Sequence, residues 1–212
     1  MKKGLYSVIY MFIVTLCFTS VVSGVRLLNE EKILTNIEAR RQSVILDVLK
    51  IKVGAGAGPE EIVRVFAKNV KPLRLNEDTI YICYDDDGLS VKGYAFSVTG
   101  PGFWGPISSM VGIDKEYSRI IGINFFDNVE TPGLGARITE DWFQAQFTGL
   151  PLERKDGRGR FFTLKQAGTR KTLKELDAVT GATQTSEAVD KLLNKELNRF
   201  VQEVVPLIRK EI

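Results

Sequence analysis

The hydrophobic pattern divides the chain into two parts. Gly4 to Val25, GLYSVIYMFIVTLCFTSVVSGV, carries no charge. A helix rising about 1.5 Å per residue over that length crosses a hydrocarbon core of about 30 Å. Lys2 and Lys3 precede the run, and Val22-Ser23-Gly24 resembles a small-residue cleavage site, so a secretory signal is the competing reading. The run is longer than the apolar core of a usual signal, which favours a retained single-pass anchor. Basic residues flank it on both sides, so the charges give no orientation. Beyond it, Ile33, Ile37, Val44, Ile45 and Val48 recur near helical spacing and predict a helix leading away from the membrane to about Ile51. VGAGAGPEE breaks that pattern. No strand precedes its glycines, which argues against a dinucleotide loop, and Pro59 with Glu60 and Glu61 suits the first turn of another helix.

Strand-like patterns follow. TIYICY and VKGYAFSV flank Asp85-Asp86-Asp87-Gly88 and predict a hairpin. The aspartates suit a solvated turn, because the remaining ligands of a calcium loop are missing. SSMVGI and RIIGINFF predict two more strands, DWFQAQF a short helix and RFFTL another strand. From Ser186 toward Val205, the residues Val189, Leu193, Leu197, Phe200, Val201 and Val204 share one helical face, with Pro206 as the expected stop. The expected fold class is α+β: a transmembrane anchor at 1–25, a helical stalk and linker at 26–58, and one α+β domain at 59–212.

Composition narrows the chemistry. The 212 residues are 44% hydrophobic and 26% charged, as one globular domain requires. The net charge of +3 is spread along the chain, so no nucleic-acid stripe is present. Histidine is absent, which removes Ser-His and Cys-His nucleophile pairs, His-ligated metals and imidazole proton shuttles. Cys17 and Cys83 lie far apart and do not suggest a disulfide or a Cys-rich metal site. No metal ligand set and no catalytic side chain is expected.

Three glycine-rich stretches remain. GPGFWGP, Gly100 to Pro106, reads on composition as a strand connection with a buried aromatic plug. The alternative is a loop in which Phe103 and Trp104 form the wall of a flat ligand site. ETPGLGAR, Glu130 to Arg137, contains the Pro132-Gly133 pair of a type II turn, which serves either as a tight turn or as a ligand clamp using its amides and Glu130 or Arg137. DAVTGATQTS, Asp177 to Ser186, crowds hydroxyls before the last helix. Thr180, Thr183, Thr185 and Ser186 are all candidate caps. The same geometry stabilises a phosphate at a helix N-terminus, where Gly181 and Ala182 leave the approach open and a threonine can be esterified.

DAVTGAT matches the pattern Asp-x-x-Ser/Thr-Gly-Ala-Thr/Ser, and the chain thereby resembles flavin-binding domains of the G subunit of the Rnf electron-transport complex and the C subunit of the sodium-pumping NADH:quinone reductase. GPGFWGPISSMVGID and ETPGLGARI resemble two further stretches of these proteins, in the same order, as do the single anchor and the length. The resemblance implies an electron carrier with FMN joined through its phosphate to Thr183. A flavin transferase recognising Asp177 and Gly181 would attach it outside the cytoplasm. The other hydroxyls, those of Thr180, Thr185 and Ser186, would cap the helix or bind the phosphate, with Ala182 leaving the approach open. The ring is expected between Trp104 or Phe103 and a loop of Glu130, Thr131, Gly133, Leu134 and Gly135. The implied location is the cytoplasmic (inner) membrane, with the flavin domain on the extracytoplasmic side beside the other subunits of an Rnf-type complex that moves electrons between ferredoxin and NAD. Family members often carry a histidine where this chain has Asn128, which puts any proton-coupled role there in doubt. Two rivals stand: a free-standing extracytoplasmic flavoprotein serving another reductase, and a scaffold domain without flavin.

Overall fold

A computed structural model describes residues 2–54, 56–76, 78–85, 88–153 and 160–211; Asp86 and Asp87 of the acidic turn lie outside the described residues. The chain forms an α+β domain behind a long apolar helix. That helix, α1 (Lys2–Val48), runs unbroken through both the apolar segment and the stalk. It is long and apolar enough to cross a membrane. Side chains such as Leu5, Phe12 and Phe18 are exposed along its first half, whereas Ile45, Leu46 and Val48 are buried at its far end.

After α2 (Pro59–Asn69) come five strands, β1 (Val70–Leu75), β2 (Asp78–Tyr84), β3 (Val91–Pro101), β4 (Pro106–Asp114) and β5 (Ile120–Asn128). They form an antiparallel sheet in sequential order, with β2 and β3 paired as the hydrophobic alternation predicts. Period-two alternation sends Ile80 and Ile82 to one face and Tyr81 and Cys83 to the other, so the sheet separates two cores. The larger core packs beneath α3 (Asp141–Ala145) and α4 (Thr183–Arg199); the smaller lies under α1 and α2.

The end of α1 rests directly on β4 and β5. A Cβ on Gly122 would stand 2.5 Å from the Val48 carbonyl oxygen, and one on Gly112 would meet the same atom. Only glycine lets helix backbone and sheet approach so closely. Earlier on α1, Ile37, Arg41 and Val44 share a groove with Ser97, Phe126 and Asp127, near the Pro101 and Asn128 ends of β3 and β5. Past its end, Lys50 and Lys52 lie beside Tyr84 and Lys92, at the opposite end of the sheet. The half of α1 that carries the apolar segment therefore departs toward the Pro101–Asn128 end, where the glycine-rich loops are.

VKPLRL forms β1 with Pro72 inside it, because β1 is an edge strand and an edge position tolerates a missing N–H. Two local expectations change. In RFFTL only β6 (Thr163–Lys165) pairs, in parallel with β7 (Glu175–Asp177), while Phe161 and Phe162 are buried core side chains. Pro206 does not stop the final helix. A π-helical turn (Phe200–Val204) precedes α5 (Val205–Glu211), giving the proline ring room where a regular turn would set it against a carbonyl four residues back. Val205 and Ile208 are buried and hold α5 to the core.

Candidate functional site

At the start of α4, Gly181 takes φ 79° and Ala182 occupies the cap position, so Thr183 is the first helical residue. The left-handed backbone at 181 suits glycine, and a Cβ there would also lie 3.2 Å from Leu134. No side chain caps this helix, contrary to the expectation that its hydroxyls do so. The four hydroxyls divide their work. Ser186 is buried; its Oγ donates to the Ala182 carbonyl at 2.9 Å and accepts from the Val179 N–H at 3.1 Å, fastening the turn from behind. Thr185 is also buried, and its Oγ1 donates to Glu130 Oε2 at 2.7 Å. Thr180 and Thr183 are left exposed. The open first turn keeps its partial positive charge and its orphan N–H groups available to an anion.

The second loop leaves β5 through Asn128, whose Oδ1 accepts from the Glu130 N–H at 3.1 Å. The Leu134 N–H then donates to the Thr131 carbonyl at 3.1 Å, closing a turn with Gly133 at φ 75°, as Pro132-Gly133 predicts. The Glu130 side chain points inward and is 5% exposed. Its Oε1 accepts from the N–H groups of Phe103 at 2.7 Å and Trp104 at 3.1 Å.

Those two residues sit at the tip of the first loop, which the Gly102 N–H closes onto the Gly105 carbonyl at 2.7 Å. The expectation of a buried aromatic plug is overturned. Phe103 is 47% and Trp104 65% exposed, because Glu130 fills the space under the loop and holds its backbone while the rings turn outward. The rings stand 4.8 Å apart at 58°.

The three loops enclose one cavity of about 290 Å³. Phe103 and Trp104 line it from the first loop, Glu130, Thr131, Leu134 and Gly135 from the second, and Gly181 to Thr185 from the third. Gly133 lies at the exposed tip of its turn, Thr180 faces solvent and Ser186 sits behind the wall. Asp177 lies elsewhere, at the end of β7. Its N–H donates to Gln146 Oε1 at 2.7 Å and its Oδ1 accepts from the Gly168 N–H at 3.1 Å. Gln184 lines the cavity and Gln146 holds Asp177, yet the sequence pattern singles out neither. Gln184 stands inside the DAVTGATQTS stretch, which is the signal that could have found it; nothing local marks Gln146. The arrangement suits a phosphate-bearing ligand with a flat ring: an uncapped helix start with an exposed hydroxyl, beside two exposed aromatic rings and the apolar Leu134.

Residues 102–198 match the family model described as FMN-binding domain, and all three loops fall within or beside that stretch. More particularly, the chain is similar to G subunits of ion-translocating oxidoreductase complexes and to C subunits of Na(+)-translocating NADH-quinone reductases. It is 33% identical over 114 residues to the G subunit of Methanosarcina acetivorans, covering 54% of each chain. It is 28% identical over 192 residues to the G subunit of Pasteurella multocida, covering 89% of each. The crystal structure of Shewanella oneidensis NqrC shares its fold with a TM-score of 0.66 at 22% identity, over 74% of this chain and 90% of that one. The matched part spans 54% of the Methanosarcina protein and 37% of its Chlamydia pneumoniae quinone-reductase relative, so the chain spans about half or less of the first relatives it matches.

Proposed function

We propose that this chain is a membrane-anchored electron carrier with FMN esterified through its phosphate to Thr183, working in an Rnf-type ion-translocating ferredoxin:NAD oxidoreductase. One observation carries the reading. Thr183 is exposed as the first residue of an uncapped helix and shares a cavity with the Phe103–Trp104 pair and Leu134. The helix start favours the phosphate diester, and the aromatic and aliphatic walls suit the ring. Bound FMN would supply one- and two-electron transfer, leaving the side chains to hold it and exclude water.

Attachment needs no histidine. The Thr183 hydroxyl oxygen displaces AMP from the flavin-side phosphorus of FAD. The hydroxyl proton leaves with AMP, and the protein gains FMN less one water. A flavin transferase performs the step on the extracytoplasmic side, recognising Asp177 and Gly181. The site lies at the sheet end toward which the apolar half of α1 departs, which favours redox partners resident in the membrane. Ion movement belongs to those partners, since one helix forms no pathway.

The test is the intact mass of full-length protein matured beside an active transferase, with a denaturing gel viewed under ultraviolet light. A mass gain of FMN less one water and a fluorescent band, both lost in Thr183→Ala, support the reading. An unmodified, dark wild-type chain overturns it in favour of a scaffold.

A further inference from the structure

We infer that Glu130 is the positioning residue of the site: its carboxylate holds the aromatic loop in register with the attachment turn, and it is not itself a ligand to the cofactor. The inference rests on the FMN reading above and assigns the labour within that site. Glu130 is buried, and its two oxygens take three hydrogen bonds from chain segments far apart in sequence. Oε1 accepts from the N–H groups of Phe103 and Trp104, 27 and 26 residues away. Oε2 accepts from Thr185, 55 residues away and within the first turn of the helix that begins with Thr183. Single bonds of this kind are weak, but a charged acceptor strengthens each of them, and a donor left unmatched in a buried site is costly.

The surroundings are shaped to this carboxylate. A Cβ on Gly102 would stand 2.5 Å from Oε1, and one on Gly135 would stand 2.8 Å from Oε2. Asn128 fixes the approach through the Glu130 N–H. With both oxygens engaged by the protein, the side chain acts through Phe103, Trp104 and Thr185. Among the residues lining the cavity, Phe103, Trp104, Thr131, Leu134, Thr183 and Gln184 are exposed.

Hydrogen-bond geometry separates this role from that of a ligand. In Glu130→Gln the amide oxygen still accepts both loop N–H groups, and the amide N–H₂ donates to Thr185, whose hydroxyl rotates. In Glu130→Ala all three donors lose their acceptor. The experiment uses the full chain with Trp142→Phe, so that Trp104 is the only tryptophan, and follows two readouts. One is the rate of FMN incorporation by intact mass; the other is Trp104 emission in the unloaded Thr183→Ala protein. Glu130→Gln matches the parent in both. Glu130→Ala loads about tenfold more slowly or worse, and its Trp104 emission moves to the red. Glu130→Asp, one methylene short, follows Ala and replaces it if circular dichroism shows the Ala variant unfolded. Unchanged loading and emission in Ala and Asp overturn the assignment, as does a Gln variant that falls with them. If the parent takes up no flavin, the functional reading fails, while Trp104 emission still decides the role of Glu130.

Discussion

Thr185 Oγ1 donates a 2.7 Å hydrogen bond to Glu130 Oε2, and both residues are buried. The contact joins the first turn of α4 to the loop after β5. Because Glu130 also holds the backbone of Phe103 and Trp104, one carboxylate fixes the relative placement of three loops that the chain brings from distant positions.

Removing the Thr185 hydroxyl leaves a buried charged oxygen short of a donor. Thr185→Val is expected to destabilise the protein by about 1–3 kcal/mol, and Thr185→Ser to cost less because it keeps the donor. Thermal unfolding of the detergent-solubilised chain measures both. Equal melting temperatures for Val and wild type would show the bond contributes nothing.

Gly135 is a packing glycine. A Cβ there would stand 2.5 Å from Thr185 Oγ1 and 2.8 Å from Glu130 Oε2. Neither atom moves without breaking the bond between them, so Gly135→Ala is expected to cost about 1–3 kcal/mol. It should also slow flavin loading. A variant that melts and loads like wild type would contradict the packing described here.

The seat of α1 on the sheet depends on Gly122. Its Cβ would stand 2.5 Å from the Val48 carbonyl oxygen, which is backbone and cannot rotate away. Gly122→Val is expected to lift the end of α1. Amide hydrogen exchange across residues 42–49 should then speed up by about tenfold or more, with that of α4 unchanged. Identical exchange in both segments refutes the clamp.

Asp190 gives a pH signature. Burial raises its pKa above the ordinary carboxylate value, against the opposing pull of the Leu164 N–H, Arg160 and Asn194. A carboxyl whose pKa folding raises favours the folded state while protonated, and that contribution is lost as pH climbs through the folded pKa. Asp190→Asn removes this titration. The melting temperature of the Asn variant relative to wild type should therefore fall as pH is lowered toward the ordinary carboxylate range, where wild-type Asp190 regains its proton. A difference independent of pH would show that burial imposes no such cost.

Much of the fold was legible because local patterns and packing agree. The alternation in TIYICY and VKGYAFSV marks a hairpin, and β2 and β3 pair there. Pro59 marks a helix start, and α2 begins with it. Patterns failed where tertiary context overrode a local signal. Pro206 suggested a stop that a π-helical turn circumvents.

The sequence by itself marked three glycine-rich stretches, with the hydroxyl cluster of DAVTGATQTS among them. It also determined the long apolar helix and the absence of histidine, since composition and period-two or helical repeats depend only on neighbouring residues. Only the tertiary structure decided what each hydroxyl does. Ser186 and Thr185 turn inward as fasteners while Thr183 stays exposed, because Glu130 arrives from the loop after β5 to accept from one of them. That carboxylate also turns Phe103 and Trp104 outward. Such a division rests on hydrogen bonds between residues up to 55 positions apart, and spacing along the chain carries no record of them.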